Sequence, residues 1–210
     1  MGVLKGAISY AKFQVEGELP DDLHQKFMAR IRTRTFKLLT PEDEDDVAVG
    51  WVPIERPYDD EISFRSDGVF FGSYLNLALR LDRWKFPSTL VKAKMAAAER
   101  QWKQKTGKER MSKTEKTELR DLVERKLRRD GVPVTKVVDF TWNTVTGELR
   151  FFGKSKVILE HFFELFEKTF SVKLVPSAAY TIAMQLGLPK NLEAALARVE
   201  PAVLHARGVS

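Results

Sequence analysis

Four leucines on alternating positions limit most strongly what this chain can become. Leu75, Leu77, Leu79 and Leu81 are separated by Asn76, Ala78 and Arg80, with Asp82 following. A period of two sends successive side chains to opposite faces, so the stretch from Val69 to Trp84 is predicted to be a half-buried strand. Such a strand needs neighbours in a sheet and a layer over its apolar face. The chain is therefore committed to a core that contains sheet.

The period then changes. Val91, Met95, Ala98 and Trp102 follow steps of 4, 3 and 4, one face of a helix from Ser88 to Lys105. Gly107 sits where a left-handed C-terminal cap belongs. Ser112-Lys113-Thr114-Glu115 matches a capping box, and Leu119, Leu122, Val123 and Leu127 form the stripe of a second helix. Gly131 and Pro133 end it. At roughly 18 residues each, these helices are about 27 Å long. The short connection predicts a helical hairpin.

Strand patterns return after it. Val134 to Trp142 and Glu148 to Phe152 flank the turn Asn143-Thr144-Val145-Thr146-Gly147, a β-hairpin signal. Lys156 to Phe170 is an amphipathic helix with Ile158, Leu159, Phe162, Leu165, Phe166 and Phe170 on its apolar side. Val172 to Val175 is one more strand, closed by Pro176. Upstream, Val3 to Val15 reads as a strand and Gly50 to Pro53 as a short one. Leu19-Pro20-Asp21-Asp22 opens a helix whose apolar face is Leu23, Phe27 and Ile31. The tail from Ala178 is helical in composition, with a break at Gly187-Leu188-Pro189. The expected fold is α+β: sheet-and-helix units at 1–84 and 132–210 flanking a long basic helical hairpin at 85–131.

Charge is distributed unevenly. The chain carries +6 overall, yet from Arg83 to Arg129 there are 16 Lys or Arg against 6 Asp or Glu, a net of +10. The remainder is then at −4. A basic block inside an otherwise acidic chain is the footprint of a polyanion partner. The competing reading is a solvated helical surface, supported by pairs such as Glu99 with Lys103 and Glu124 with Arg128, four residues apart. Those pairs consume little of the excess.

Other chemistry fares poorly. With 0 cysteines, disulfides, thiolate zinc sites and a cysteine nucleophile are excluded. His24, His161 and His205 share no ligand spacing, and His161 with Glu164 reads as a helix-surface contact. Thr106-Gly107-Lys108 lacks the earlier glycine of a phosphate-binding loop, and Glu109 stands where Ser or Thr is required. No Gly-x-Ser-x-Gly elbow occurs. The five acids Glu42 to Asp46 read as a solvated loop rather than a metal site. Asp139 and Glu148, with Arg150 nearby, faintly suggest a metal-dependent nuclease. The first residues do not read as a secretory signal, and no stretch reaches the roughly 18 apolar residues of a membrane span. No metal and no cofactor is expected, and no catalytic residue is assigned.

The residues expected to meet a polyanion are Lys92, Lys94, Arg100, Lys103 and Lys105 on the first helix, Lys108 and Arg110 in the loop, and Lys113 and Lys116 on the second. Flexible cations suit phosphates, which carry most sequence-independent affinity. Lys outnumbers Arg on the first helix, favouring backbone contact over reading of guanine edges. Trp102, on the apolar stripe, is expected in the core rather than as a stacking platform. The alternative function is a protein-interaction module for an acidic partner.

From Gly50-Trp51-Val52-Pro53 onward the chain resembles the bacterial RdgC family of recombination-associated DNA-binding proteins. The residues that carry the resemblance are that segment, Leu75-Asn76-Leu77-Ala78-Leu79-Arg80, the Thr106-Gly107-Lys108 turn and Ser112 to Leu119. The hairpin from Val138-Asp139-Phe140-Thr141-Trp142 through Gly147-Glu148-Leu149, the helix to Phe170 and the strand to Pro176 continue the order. It covers roughly residues 50–176. The resemblance implies a non-enzymatic, sequence-independent binder of double-stranded DNA. It also implies a cytoplasmic, nucleoid-associated homodimer, ring-shaped with a basic hole, that limits access of the RecA recombinase. This chain is shorter than familiar members. It lacks most of their sequence beyond the Val172 strand, including part of their dimer contact.

Overall fold

The computed structural model describes residues 9–177, 189–196 and 198. In chain order the elements are β1 (Ala11–Glu16), α1 (Leu23–Thr33), β2 (Val47–Val52), α2 (Ser66–Val69), β3 (Phe70–Phe71) and β4 (Tyr74–Arg83). Then come α3 (Ser88–Thr106), α4 (Lys113–Asp130), β5 (Val134–Asn143), β6 (Glu148–Phe151), α5 (Lys156–Phe170), β7 (Lys173–Pro176) and α6 (Lys190–Leu196). The class is α+β, as the change of period predicts. The tail's break at Gly187-Leu188 and the first part of the expected opening strand lie outside the described residues.

All the strands join one antiparallel sheet in the order β2-β4-β5-β6-β1-β7, with β3 pairing the start of β4. This corrects the expectation of two separate sheet units. β4 and β5 pair residue for residue over their whole length, from Tyr74↔Asn143 to Arg83↔Val134. The two sets of strands that sequence assigns to different units thus share backbone hydrogen bonds, and β1 returns to lie between β6 and β7.

The core lies between one face of this sheet and helices α1 and α5. Leu75, Leu77 and Leu79 are fully buried, with Trp51, Phe140, Trp142, Leu149 and Phe151 beside them. Phe27 and Ile31 of α1, and Phe162, Phe166 and Phe170 of α5, pack onto that face. Rings interlock: Phe162 stacks on Phe151 at 4.2 Å and meets Phe140 edge-on at 5.1 Å. Each such contact adds about 0.5–1.5 kcal/mol beyond burial. The Trp51 indole, deep in this layer, is satisfied, since it donates to Thr169 Oγ1 at 2.9 Å.

The far face of β4 is not solvated along its second half, another departure from expectation. Arg80 and Asp82 are buried there and form a bidentate pair at 3.1 and 2.9 Å. The Arg80 guanidinium also lies 4.3 Å from the Phe36 ring centroid and donates to the Pro57 carbonyl. The segment after α1 covers this side. Phe36 N–H donates to Trp51 O, and Trp51 N–H donates to Arg34 O, both at 3.0 Å. Gly50 permits the approach, because a Cβ there would collide with the Phe36 backbone.

Candidate nucleic-acid interface

The basic segment forms an arm inserted between two paired strands. Arg83 pairs with Val134, so the chain leaves β4 and returns to β5 at one place after the whole of α3 and α4. Gly131 abuts the Phe86 ring, bringing both ends of the arm together at its base. The helices begin and end for local reasons. Gly107 takes the left-handed conformation, φ 67°, and its N–H donates to Lys103 O at 2.9 Å, stopping α3 where sequence places the cap. Ser112 starts α4 with a complete capping box. Glu115 N–H donates to Ser112 Oγ at 3.2 Å, and Ser112 N–H donates to Glu115 Oε2 at 2.8 Å. That backbone bond, with Lys108 at 3.1 Å, holds the Glu115 carboxyl below the ordinary glutamate range.

The arm buries little of itself. No α3 residue is fully buried, and on α4 only Val123 and Leu127 are. Val91, Met95, Ala98 and Trp102 reach half-burial, while Leu122 is 63% exposed. The expectation that Trp102 is core therefore fails. A helix pair projecting from a sheet has no third layer, so its stripe is covered from one side alone. Trp102 instead sits beside Lys108, whose ammonium lies 5.8 Å from the ring centroid.

All nine cations singled out by sequence reach solvent. Only Lys108 has a carboxylate partner among the described residues, Glu115; the other eight have no ion pair there. They do not share one face. At roughly 100° per residue, Lys92 and Lys103 fall on one flank of the α3 stripe, Lys94 and Lys105 on the other, and Arg100 behind. Lys92, Lys113 and Lys116 are brought together on a groove of about 1000 Å³ between the two helices. Its floor is Trp84, Phe86, Val91 and Met95, and its wall includes Arg120, Arg128, Asp46, Glu99 and Glu124. Arg120 is tied to Glu124 at 2.8 Å. Lys103, Lys108 and Arg110 cluster instead around the loop at the tip.

The acidic run is an exposed loop, as expected, but two of its carboxylates are engaged by the arm. Arg128, whose side chain is largely buried, binds the Asp46 carboxylate and donates to the Asp43 carbonyl at 2.8 Å. Arg129 lies 3.8 Å from Glu42. The base of α4 is thus partly neutralised from within. Sequence separation hid this contact, since 82 residues divide Asp46 from Arg128. The only signal was opposite charge in two blocks.

The nuclease arrangement does not assemble. Asp139 stands beside Phe152 at one end of the β5–β6 pairing, and Glu148 lies beyond Trp142↔Leu149 at the other. Four residues of strand separate the two positions by about 13 Å, too far to share one ion. Glu148 is also held by Lys12 at 2.7 Å and Arg150 at 2.6 Å, which keep its carboxyl below the usual range. Among the described residues no three potential ligands gather for a metal ion. No helix among them is long and apolar enough to cross a membrane.

Comparison with protein-family models and with curated protein sequences finds no match to this chain.

Proposed function

We propose that this protein binds double-stranded DNA without regard to sequence, through the exposed cations of the α3–α4 arm. The observation that carries the reading is that eight of the nine expected cations have no carboxylate partner among the described residues while all are exposed. Free Lys and Arg exchange their place beside water for phosphates and release condensed counterions, an entropic gain that needs no base contact. As a helical hairpin projecting from the sheet, the arm offers these charges on several sides, which suits a surface following a duplex backbone.

The resemblance to the RdgC family supports placing this binding in control of homologous recombination. A homodimer occupying nucleoid DNA in the cytoplasm would obstruct loading of the RecA recombinase. No catalytic step is part of this reading. A second reading has its own observation: the groove combines an apolar floor with a lysine-rich rim. That pattern fits an amphipathic acidic helix of a partner protein.

The test is binding of a labelled 30-base-pair duplex of arbitrary sequence across a salt series. A log–log slope of about −4 or steeper supports the DNA reading. Absence of binding at low salt refutes it and leaves the acidic-partner reading.

A further inference from the structure

The base of the arm carries a second electrostatic feature, whose role rests on the DNA-binding reading. From Asp121 to Asp130 there are four cations, Arg125, Lys126, Arg128 and Arg129, against three acids, a net of +1. The run Glu42 to Asp46 docks on this stretch and adds five negative charges, taking the region to −4. From Lys85 to Arg120 the arm instead carries eleven cations against four acids, a net of +7. The docked run therefore polarises the arm, basic toward the tip and acidic at the base.

The docking is specific in its geometry. Asp43 fixes the loop by accepting from Thr40 N–H at 2.6 Å, and Asp46 fixes it through its carbonyl, which accepts from Trp84 N–H at 3.0 Å. Asp46 also holds Arg128. Glu44 and Asp45 make no ion pair among the described residues and stay exposed. Glu42, Asp43 and Glu44 line a cleft of about 450 Å³ whose opposite wall includes Arg125, Arg128 and Arg129. The carboxylates thus stand in front of the guanidinium groups that would otherwise meet phosphate.

We propose that the acidic run is a built-in competitor of nucleic acid. It occupies or screens Arg125 and Arg129, repels phosphates from the base, and confines duplex contact to the distal part of the arm. Both contacts are ion pairs open to solvent on the acidic side, weak and salt-sensitive, so the competitor tunes affinity and does not lock the arm.

The experiment uses the full chain carrying Glu42→Gln, Glu44→Gln and Asp45→Asn together. Asp43 and Asp46, which hold the loop in place, are kept. Circular dichroism and thermal melting first check that the fold is unchanged. The triple variant is expected to bind the 30-base-pair duplex about 10-fold or more tightly at about 0.1 M salt, with the salt slope steeper by about 1–2 as Arg125 and Arg129 engage phosphate. Arg129→Gln is expected to leave the affinity of the otherwise native chain unchanged and to weaken binding in the triple variant. Equal affinity and slope for native and triple variant overturn the competitor while leaving DNA binding intact. Absence of binding by both proteins overturns both readings.

Discussion

Replacing Lys92, Lys113 and Lys116 together with Gln removes the three unpaired cations that the arm gathers on one groove. Each side chain is exposed and none supports the core, so stability changes by less than about 0.5 kcal/mol. If each of the three meets one phosphate, the salt slope flattens by about 0.9 per residue, or about 2.7 in all. At about 0.1 M salt each contact also contributes about 0.9 decade of affinity through counterion release. The triple variant then binds about 500-fold more weakly, a loss near 3.7 kcal/mol. Fluorescence anisotropy on the 30-base-pair duplex, titrated at several salt concentrations, reads slope and affinity together. Lys168→Gln is the control, a cation on α5 already tied to Glu164 at 2.6 Å; it is expected to leave both unchanged. A triple variant whose slope matches the native protein refutes the assignment of DNA contact to the groove.

Three further outcomes are expected from the fold and its charges. Gly50→Ala drives a methyl group into the Phe36 backbone and breaks the paired hydrogen bonds at Trp51, so urea unfolding is expected to show a loss of at least about 2 kcal/mol. Asp82→Ala strands the buried Arg80 guanidinium and is expected to cost about 3–5 kcal/mol in the same assay, with no loss marking the pair as dispensable. The Glu115 carboxyl has a folded pKa below its unfolded one, so its contribution to α4 is complete above the ordinary glutamate range. That contribution is lost as pH falls through the lower folded value. Amide protection at the start of α4, corrected for intrinsic exchange, should fall in that acid window, and Glu115→Gln should remove that fall.

Most element boundaries were legible because their causes are local. The alternation at Leu75–Leu81, the capping box at Ser112 and the glycine stop at Gly107 all act within a few residues, and the structure places α4 and the end of α3 accordingly; β4 runs only from Tyr74 to Arg83, while Val69, expected at the head of that strand, ends α2 and Phe70–Phe71 form β3. Helix α5 spans Lys156–Phe170, the range its aromatic stripe predicts. The arm's cations were legible too, since a side chain without a nearby acid or an apolar neighbour stays in water.

What the sequence by itself determined is therefore most of the list of elements, α2 and β3 apart, and the location of the positive charge. Tertiary structure decided the rest, because each remaining fact joins residues far apart along the chain. Pairing of β4 with β5 across the inserted arm turned two supposed units into one sheet, a choice set by backbone hydrogen bonds that leave no periodic trace. Burial of Arg80 and Asp82 depended on the segment around Phe36 closing over a strand face that alternation alone assigns to solvent. Trp102 lost its expected place in the core because, among the described residues, no third layer covers the arm. The acidic run met Arg128 and Arg129 only because β2 brings its preceding loop to the arm's base, where opposite charges separated in sequence become neighbours in space.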